Sequence, residues 1–264
     1  MSSPEALSPT TGRIKRLRRL GTRSSRQDRR EFLAEGPQAV REALARPGTV
    51  IEVFASQGAY DRYLAADATP ATIVGSDVVA ALADTVHPQG LVAHCRFVDR
   101  PIGEILADDP ALIAICADVR DPGNAGTVVR CADAAGADAV LFGGNSVDPY
   151  NPKAVRASVG SLFHTEIGVD SDLPGLVRAV RERGVRVLAA DGAGGDLFAL
   201  DRAGGLGGPT AWLFGNEAWG LPAEVRALAD DVVAVPIYGR AESLNLATAA
   251  AVCLYTSARA RELD

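Results

Sequence analysis

The chain has 264 residues, of which 47% are hydrophobic and 23% are charged, and its formal net charge is −6. This composition is that of a globular protein with one large domain or two ordinary ones, and it excludes a disordered or fibrous chain. No apolar run approaches about 18 residues, so we expect no membrane span, and the polar, arginine-rich N-terminus is unlike a secretory signal.

The four cysteines, Cys95, Cys116, Cys131 and Cys253, lie far apart, and three of them are inside apolar segments. Neither they nor the three histidines have the spacing of a zinc or redox site. We therefore predict buried thiols in a reducing cytoplasm and no metal site.

Positive charge is concentrated near the N-terminus. Arg13–Arg30 contains nine Lys or Arg residues and one acid, so this segment is +8 and the rest of the chain is −14. We predict that residues 1–30 form a basic arm that meets a polyanion, and that the Ser/Pro/Thr-rich residues 1–12 are disordered. The alternative is a solvated, frayed terminus.

Residues 31–104 have the pattern of a small α/β domain that starts with a strand, a turn and an amphipathic helix over Glu31–Gly48. Further strands are predicted at Val50–Ala55, Ala71–Val74 and Gly90–Val98, with helices at Asp61–Ala66 and Asp77–Asp84. The polar, proline-containing segment Asp99–Asp109 marks the boundary to a second domain, residues 105–264.

The second domain alternates strands and helices, which predicts a parallel α/β sheet. Its continuous apolar run Ala111–Val119 is typical of a strand covered on both faces. Further strands are predicted at Ala139–Gly143, Thr165–Val169, Val185–Asp191, Ala211–Phe214 and Val232–Ile237, and helices at 125–136, Pro152–Phe163, Pro174–Arg183 and from Leu246 to about Arg261. Gly192–Gly208 is predicted to be a glycine-rich loop.

Two polar loops, GNE and GRAESLN, follow the last two strands. Ligands of parallel α/β sheets bind at the carboxyl ends of strands, so we place the functional site here. Single residues have simpler interpretations: Asn124 or Ser243 could cap a helix, Glu217 could be solvated, and Arg130 could extend into solvent. The chain lacks GxSxG and the phosphate loop GxxxxGK[ST].

Three segments, DPGNAGTVVRCADAAGADAVLF, LFGNEAWGLP and VPIYGRAESLNLATAAAVCLY, resemble in order the three motifs of the SpoU (TrmH-type) RNA 2′-O-ribose methyltransferases of the SPOUT class. The resemblance covers Ala111–Glu262 and implies a trefoil-knotted α/β fold with a parallel sheet. EGPQAVREAL is similar to the L30e-like RNA-binding domain that precedes the methyltransferase domain in many members.

The resemblance also implies the roles of individual residues. The polar groups of the catalytic centre would be Asn124, Arg130, Glu217, Ser243 and Asn245. S-adenosylmethionine would be held, largely by backbone, at Leu213, Phe214, Gly215, Asn216, Gly220, Val235, Ile237, Gly239 and Leu244. Glycine suits such close approach of backbone and ligand. Ala218 stands where glycine is frequent in the family. Members are generally homodimers that pack knot against knot, and the same is expected here.

The implied reaction is transfer of the sulfonium methyl group to a ribose 2′-hydroxyl. Arg130 is the residue expected to meet the hydroxyl, either as the base or as a clamp on phosphate and ribose. The clamp is favoured because guanidinium binds phosphate bidentately. Structured RNA is the expected partner: 23S rRNA first, with tRNA or a ribosome-modifying resistance role as alternatives. A non-catalytic RNA-binding protein would not need both loops, and a nicotinamide enzyme would need GxGxxG after the first strand.

Overall fold

The computed structural model describes residues 7–262. The chain forms two compact units: the first extends through Val98 and also includes Tyr150–His164, and the second comprises Asp99–Pro149 together with the chain from Thr165 onward. A single cut near residue 104, as predicted from the sequence, therefore does not describe the compact units, because a fifteen-residue excursion of the second half belongs to the first unit.

The first unit is built on a four-stranded sheet. Its strands are β1 (Glu31–Glu35), β2 (Val50–Ala55), β3 (Thr72–Ile73) and β4 (Leu91–Arg96), and its helices up to residue 98 are α1 (Gly12–Arg18), α2 (Arg23–Arg29), α3 (Pro37–Ala45), α4 (Gln57–Tyr63) and α5 (Ser76–Leu82). The strand order is β1-β4-β2-β3, with β4 antiparallel to both of its neighbours and β3 parallel to β2. The predicted strands and helices are found with shifted ends.

The arginine-rich segment is folded onto this sheet. Ile14, Leu17 and Leu20 are buried in a cluster with Phe54 and neighbouring apolar side chains. The spacing of these three residues leaves the intervening basic side chains exposed. Part of the predicted disorder falls on residues 1–6, which lie outside the described residues, but from Gly12 the chain is helical and packed rather than frayed.

The excursion Tyr150–His164 contains α8 (Pro152–Ser158) and a 3-10 turn, Ser161–Phe163. The predicted single helix Pro152–Phe163 is therefore interrupted, because Val159 takes a left-handed conformation with φ of 52°. The hydroxyl of Tyr150 accepts a hydrogen bond from the Val98 N–H at 2.9 Å, which ties the excursion to the first unit.

The second unit is a six-stranded parallel sheet in the order β10-β8-β9-β5-β6-β7. Its strands are β5 (Leu112–Ala117), β6 (Ala139–Gly143), β7 (Glu166–Asp170), β8 (Arg186–Asp196), β9 (Thr210–Phe214) and β10 (Asp231–Ala234). Its helices are α6 (Ile102–Ala107), α7 (Pro122–Ala134), α9 (Leu173–Glu182), α10 (Leu197–Arg202), α11 (Ala223–Arg226) and α12 (Leu246–Glu262). The predicted parallel α/β class is confirmed.

The glycine-rich segment is not the predicted loop. β8 continues through Gly192 to Asp196 and pairs with β10, and α10 follows directly. The Asp196 carboxylate accepts the N–H groups of Phe198 and Ala199 at 2.7 and 3.1 Å, which starts the helix. Glycine permits this because a Cβ at Gly194 would lie 2.5 Å from the backbone of Val232. β10 itself ends at Ala234, three residues earlier than predicted.

The sheet order reverses at β5: the chain next builds β6 and β7 on one side, and later places β9 and β8 on the other. This arrangement puts the loops that follow β5 and β9 side by side at the carboxyl edge of the sheet, where parallel α/β sheets bind ligands. Within residues 7–262, no helix is long and apolar enough to cross a bilayer, and no cluster of His, Cys, Asp and Glu could hold a metal ion.

Candidate active site

The loop after β9, residues 215–221, is closed by its own backbone. Asn216 and Gly220 exchange N–H to carbonyl hydrogen bonds of 2.9 Å in both directions. The 5% exposed Asn216 side chain donates to the Asp118 carbonyl at 2.8 Å and accepts the Ala218 N–H at 2.8 Å. Asn216 therefore fastens this loop to the end of β5, and its side chain is already used within the protein.

Gly215 is required by the same loop. A Cβ there would meet the Gly220 carbonyl carbon at 2.5 Å and the Leu221 nitrogen at 2.7 Å, so no residue other than glycine fits. We expected glycine to allow close approach of a ligand, but the close neighbour is the loop's own backbone. Gly239 differs, because a Cβ there would meet nothing within 4 Å.

Glu217 links the loop to the start of α7. Its carboxylate accepts the N–H groups of Arg120 and Asp121 at 3.2 and 3.1 Å, and the Nδ2 group of Asn124 at 3.1 Å. Backbone N–H groups at a helix start favour a negative charge. Glu217 is thus held by three donors rather than simply solvated.

Asn124 connects Glu217 to the second loop. While its Nδ2 group donates to Glu217, its Oδ1 atom accepts from Asn245 Nδ2 at 3.0 Å. The Asn245 Oδ1 atom accepts the N–H groups of Ala247 and Thr248, so Asn245, and not Ser243, caps α12. The cap of α7 is Asp121, whose carboxylate accepts the Asn124 N–H at 2.8 Å. Neither simpler interpretation of Asn124 and Ser243 as caps is correct.

A cavity of about 610 Å³ lies between the two loops. Ten of the predicted site residues line it: Phe214, Gly215, Asn216, Glu217, Gly220, Val235, Ile237, Ser243, Leu244 and Asn245. Four do not: Leu213 is buried within β9, and Gly239, Asn124 and Arg130 lie outside the lining.

The sequence prediction missed several lining residues, notably Asp191, Trp219 and Glu242. Asp191 could have been found, because it directly follows the apolar run Val187–Ala190 of the strand that lies beside β9. The charged side chains that line the cavity are Asp191, Glu217 and Glu242, all acidic. The cavity therefore suits a cationic or neutral ligand better than a phosphate.

Arg130 lies on α7, six residues after Asn124, which is about 9 Å further along the helix axis at 1.5 Å per residue. Its side chain is exposed and makes no hydrogen bond or ion pair with a residue in the range 7–262. The Ser243 side chain likewise has no hydrogen-bond partner in that range, but it faces the cavity. The structure thus joins Glu217, Asn124 and Asn245 directly and leaves Arg130 and Ser243 available to a ligand.

Two cysteines lie near this cluster. Burial, with a smaller contribution from the charge of Glu217, raises the pKa of Cys116 to about 12. Burial also raises the pKa of Cys131, against the opposing effect of Arg130. Because the thiolate is the reactive form, neither side chain is suited to act as a nucleophile near neutral pH.

Two family models match the chain: residues 111–255 match the SpoU rRNA Methylase family, and residues 12–93 match the MRM3-like substrate binding domain. A relative from Bacillus subtilis (strain 168), 23S rRNA (guanosine(2553)-2′-O)-methyltransferase RlmP, is 34% identical over 92% of this chain and 94% of its own. The match to the MRM3-like substrate binding domain begins at residue 12, so it includes the arginine-rich helices α1 and α2.

Solved structures show the same fold. An AdoMet-bound rRNA methyltransferase from Sinorhizobium meliloti superposes with a TM-score of 0.83 at 32% identity, covering 96% of this chain and 97% of that one. The SpoU methyltransferase AviRb from Streptomyces viridochromogenes, in complex with AdoMet, gives 0.81 at 29% identity, covering 96% and 98%. The predicted fold, a SPOUT-type methyltransferase domain preceded by a substrate-binding domain, is confirmed. The chain belongs to the SpoU rRNA methylase family.

Proposed function

We propose that this protein transfers a methyl group from S-adenosylmethionine to a ribose 2′-hydroxyl of ribosomal RNA, with 23S rRNA as the substrate. The observation that supports this most directly is the hydrogen-bonded set Glu217–Asn124–Asn245, which joins the two loops at the cavity. Relatives whose names give 23S rRNA 2′-O-methylation match nearly the whole chain. A tRNA substrate and a resistance role are the alternatives.

The cavity fits S-adenosylmethionine in size and chemistry. Its volume of about 610 Å³ is within the roughly 300–1,000 Å³ of sites for small molecules and cofactors. Phe214, Val235 and Leu244 supply apolar walls, and the acidic side chains around them complement a sulfonium cation. We assign cofactor binding to the seven lining residues that the sequence predicted for it: Phe214, Gly215, Asn216, Gly220, Val235, Ile237 and Leu244. Leu213 and Gly239 would contribute through the backbone of their segments, and the lining residues Glu217, Ser243 and Asn245 keep the catalytic role predicted for them.

When bound, this cofactor supplies a sulfonium methyl group whose C–S bond breaks as the new C–O bond forms, and the hydroxyl proton must then leave. The protein's part is to hold the ribose in line and to remove water. Arg130 is the clamp on the phosphate and ribose of the target nucleotide, because its guanidinium is exposed and free of partners among the described residues. Asn124 and Glu217 fix the start of α7, and thereby the direction in which Arg130 extends.

The first unit would bind the RNA through its basic helices. Arg26 is buried and donates to the carbonyls of Leu20 and Gly21, and Arg13 and Arg29 pair with Glu52 and Glu31, so these three arginines are used within the fold. The charged groups of five exposed residues make no hydrogen bond or ion pair with a described residue: Lys15, Arg16, Arg18, Arg19 and Arg23. They are the ones available for phosphate contacts.

Salt dependence tests this role. Each phosphate contact contributes a slope of roughly 0.7 to 0.9 to the fall of log affinity with log salt concentration. The double variant Arg18→Gln/Arg19→Gln should reduce the slope for RNA by about 1.4 to 1.8. The matched variant Arg183→Gln/Arg202→Gln, which removes two exposed arginines of the second unit, should leave it unchanged. Equal slopes in both variants would contradict the assignment.

The trefoil knot, the homodimer and the cytoplasmic location belong to the same proposal. The knot is supported by the match of residues 111–255 to the SpoU family model, because the resemblance to that family is what implied it. Light scattering on a sizing column would measure the mass, for which we expect two copies.

The function is tested by methyl transfer. The pure protein and S-adenosylmethionine labelled in its methyl group are incubated with rRNA from a strain that lacks the gene and with rRNA from its parent. We expect label in the first rRNA only, within dinucleotides that resist alkali because their 2′-oxygen is blocked. A parallel incubation offers tRNA from the same strain, and label in tRNA with none in rRNA would establish the alternative substrate. No binding of the labelled cofactor would reject the function.

Arg130→Lys separates the two roles of the guanidinium. A clamp requires two parallel donors, so the variant should lose activity at every pH. If the variant regained near-full activity at high pH, where a lysine amine loses its proton, the clamp would be wrong and a base would be required.

A further inference from the structure

The two tryptophans of this chain have opposite environments. Trp212 is 0% exposed, and its indole N–H donates to the Ser257 hydroxyl at 2.8 Å. Trp219 is 58% exposed and lies at the cavity, two residues after Glu217. Aromatic rings gain much by leaving water, so a largely exposed indole beside a ligand cavity points to a partner that covers it.

The position of Trp219 is fixed by its loop. The paired hydrogen bonds between Asn216 and Gly220 enclose it, and the Asn216 side chain holds the Ala218 N–H just before it. An aromatic ring whose backbone is already held costs little entropy when a ligand stacks on it. The loop therefore holds the backbone of Trp219 in place before any ligand arrives.

The charges that line the cavity indicate which part of a nucleotide could contact Trp219. Asp191, Glu217 and Glu242 repel phosphate from this wall, so a nucleotide cannot be held here by its backbone charge. The uncharged face of a base is not repelled in this way. Single-stranded RNA bases are commonly held by stacking on aromatic side chains, for which neither charge nor sequence is needed.

We propose that the indole of Trp219 stacks on the base of the nucleotide whose ribose is methylated, and so positions that nucleotide at the cavity. This inference rests on the proposed function, and it adds the residue that holds the target nucleotide. Trp219 is a positioning residue: it orients the nucleotide while Arg130 holds its phosphate and ribose.

The fluorescence of Trp219 can be used to detect this contact. Because Trp212 is shielded from solvent, a change of tryptophan emission caused by a stacked base reports on Trp219. We expect quenching when unmethylated 23S rRNA fragments are titrated into the full chain, and no such quenching in Trp219→Phe. Quenching by S-adenosylmethionine alone would assign the indole to the cofactor, and emission that shifts with protein concentration without RNA would assign it to a second copy of the chain. Either result overturns the proposal.

Kinetics supply a second measurement. Trp219→Ala should raise KM for the rRNA about 10- to 100-fold, equivalent to about 1.4 to 2.8 kcal/mol. Its Kd for S-adenosylmethionine should stay unchanged, and Trp219→Phe should recover much of the loss. The matched control is Tyr255→Ala, which removes a ring that is 52% exposed on α12 and outside the cavity. Its KM should be that of the unmodified protein.

The kinetic measurements distinguish a failure of the stacking role of Trp219 from a failure of the proposed methyl-transfer function. If the unmodified chain methylates rRNA but Trp219→Ala has an unchanged KM, or Tyr255→Ala raises KM as much, the stacking role is wrong and the function stands. If the unmodified chain methylates no RNA at all, both are wrong, and the methyl-transfer assay alone reveals it.

Discussion

The two loops that enclose the cavity are stabilised in different ways. The loop at residues 215–221 carries paired backbone hydrogen bonds, the buried Asn216 side chain, and Glu217 bound to three donors. The loop at residues 235–244 makes no hydrogen bond with any residue in the described range, and Tyr238 within it is 86% exposed. Only at Asn245 does the second loop become tied, through Asn124 and the start of α12.

This difference separates residues that build the site from residues that are free to respond to a ligand. The first loop has its final conformation without a ligand, whereas the second has few contacts to hold it and belongs to the low-stability part of the fold. Substitutions in the first loop should therefore change stability together with activity, and substitutions in the second should change activity alone.

The largest expected effect is that of Gly215→Ala. The added methyl group meets backbone atoms that cannot rotate away, so we expect a loss of about 3 kcal/mol of unfolding free energy in urea and loss of cofactor binding. In the second loop, the methyl group added by Gly239→Ala would have no atom within 4 Å. This variant should lower the unfolding free energy by less than about 0.5 kcal/mol. Equal costs at the two glycines would show that the loops do not differ as described.

Asn216→Ala is expected to come next. It leaves the Asp118 carbonyl and the Ala218 N–H without their partner, which should lower the unfolding free energy by about 1 to 3 kcal/mol. Ser243→Ala breaks no hydrogen bond to a described residue, so its urea midpoint should be unchanged while kcat falls. A destabilised Ser243→Ala protein would contradict the comparison.

Glu217→Gln tests the link between the loop and α7. A glutamine keeps one acceptor oxygen, but its NH₂ group faces an N–H group that the carboxylate now accepts. We expect kcat to fall about tenfold, equivalent to about 1.4 kcal/mol. The urea midpoint should fall as well, because one of the N–H groups of Arg120 and Asp121 loses its acceptor. An unchanged kcat would remove Glu217 from the assigned site.

The smallest effect concerns Cys116, which lies beneath the first loop and pairs with Phe214 in the sheet. Its pKa of about 12 leaves roughly one thiolate in ten thousand at pH 8. Iodoacetamide should therefore modify the half-buried Cys131 before Cys116. Reaction at Cys116 should rise with pH as the thiolate fraction grows, up to about pH 12. Gly215→Ala should speed it by opening the loop, whereas Gly239→Ala should not.

The parallel α/β class and the place of the site at the carboxyl ends of strands could be predicted from the sequence. Apolar runs such as Ala111–Val119 are local signals, and the polar loops that follow strands are adjacent in the chain to those strands. The same locality explains the errors at Gly192–Gly208 and Val159. A strand rich in glycine is stabilised by its pairing with β10, and a helix end depends on one residue's φ angle, so neither is contained in a local pattern.

The sequence alone therefore determined which residue types surround the site, because hydrophobic periodicity and motif order are properties of short segments. Only the tertiary structure decided what each polar group is bonded to. Asn124, Glu217 and Asn245 are separated by 93 and 121 residues along the chain, and their hydrogen bonds exist only because the sheet brings β5, β9 and the start of α12 to one edge. Hydrogen bonds act over about 3 Å, so partners this distant in sequence are chosen by the fold.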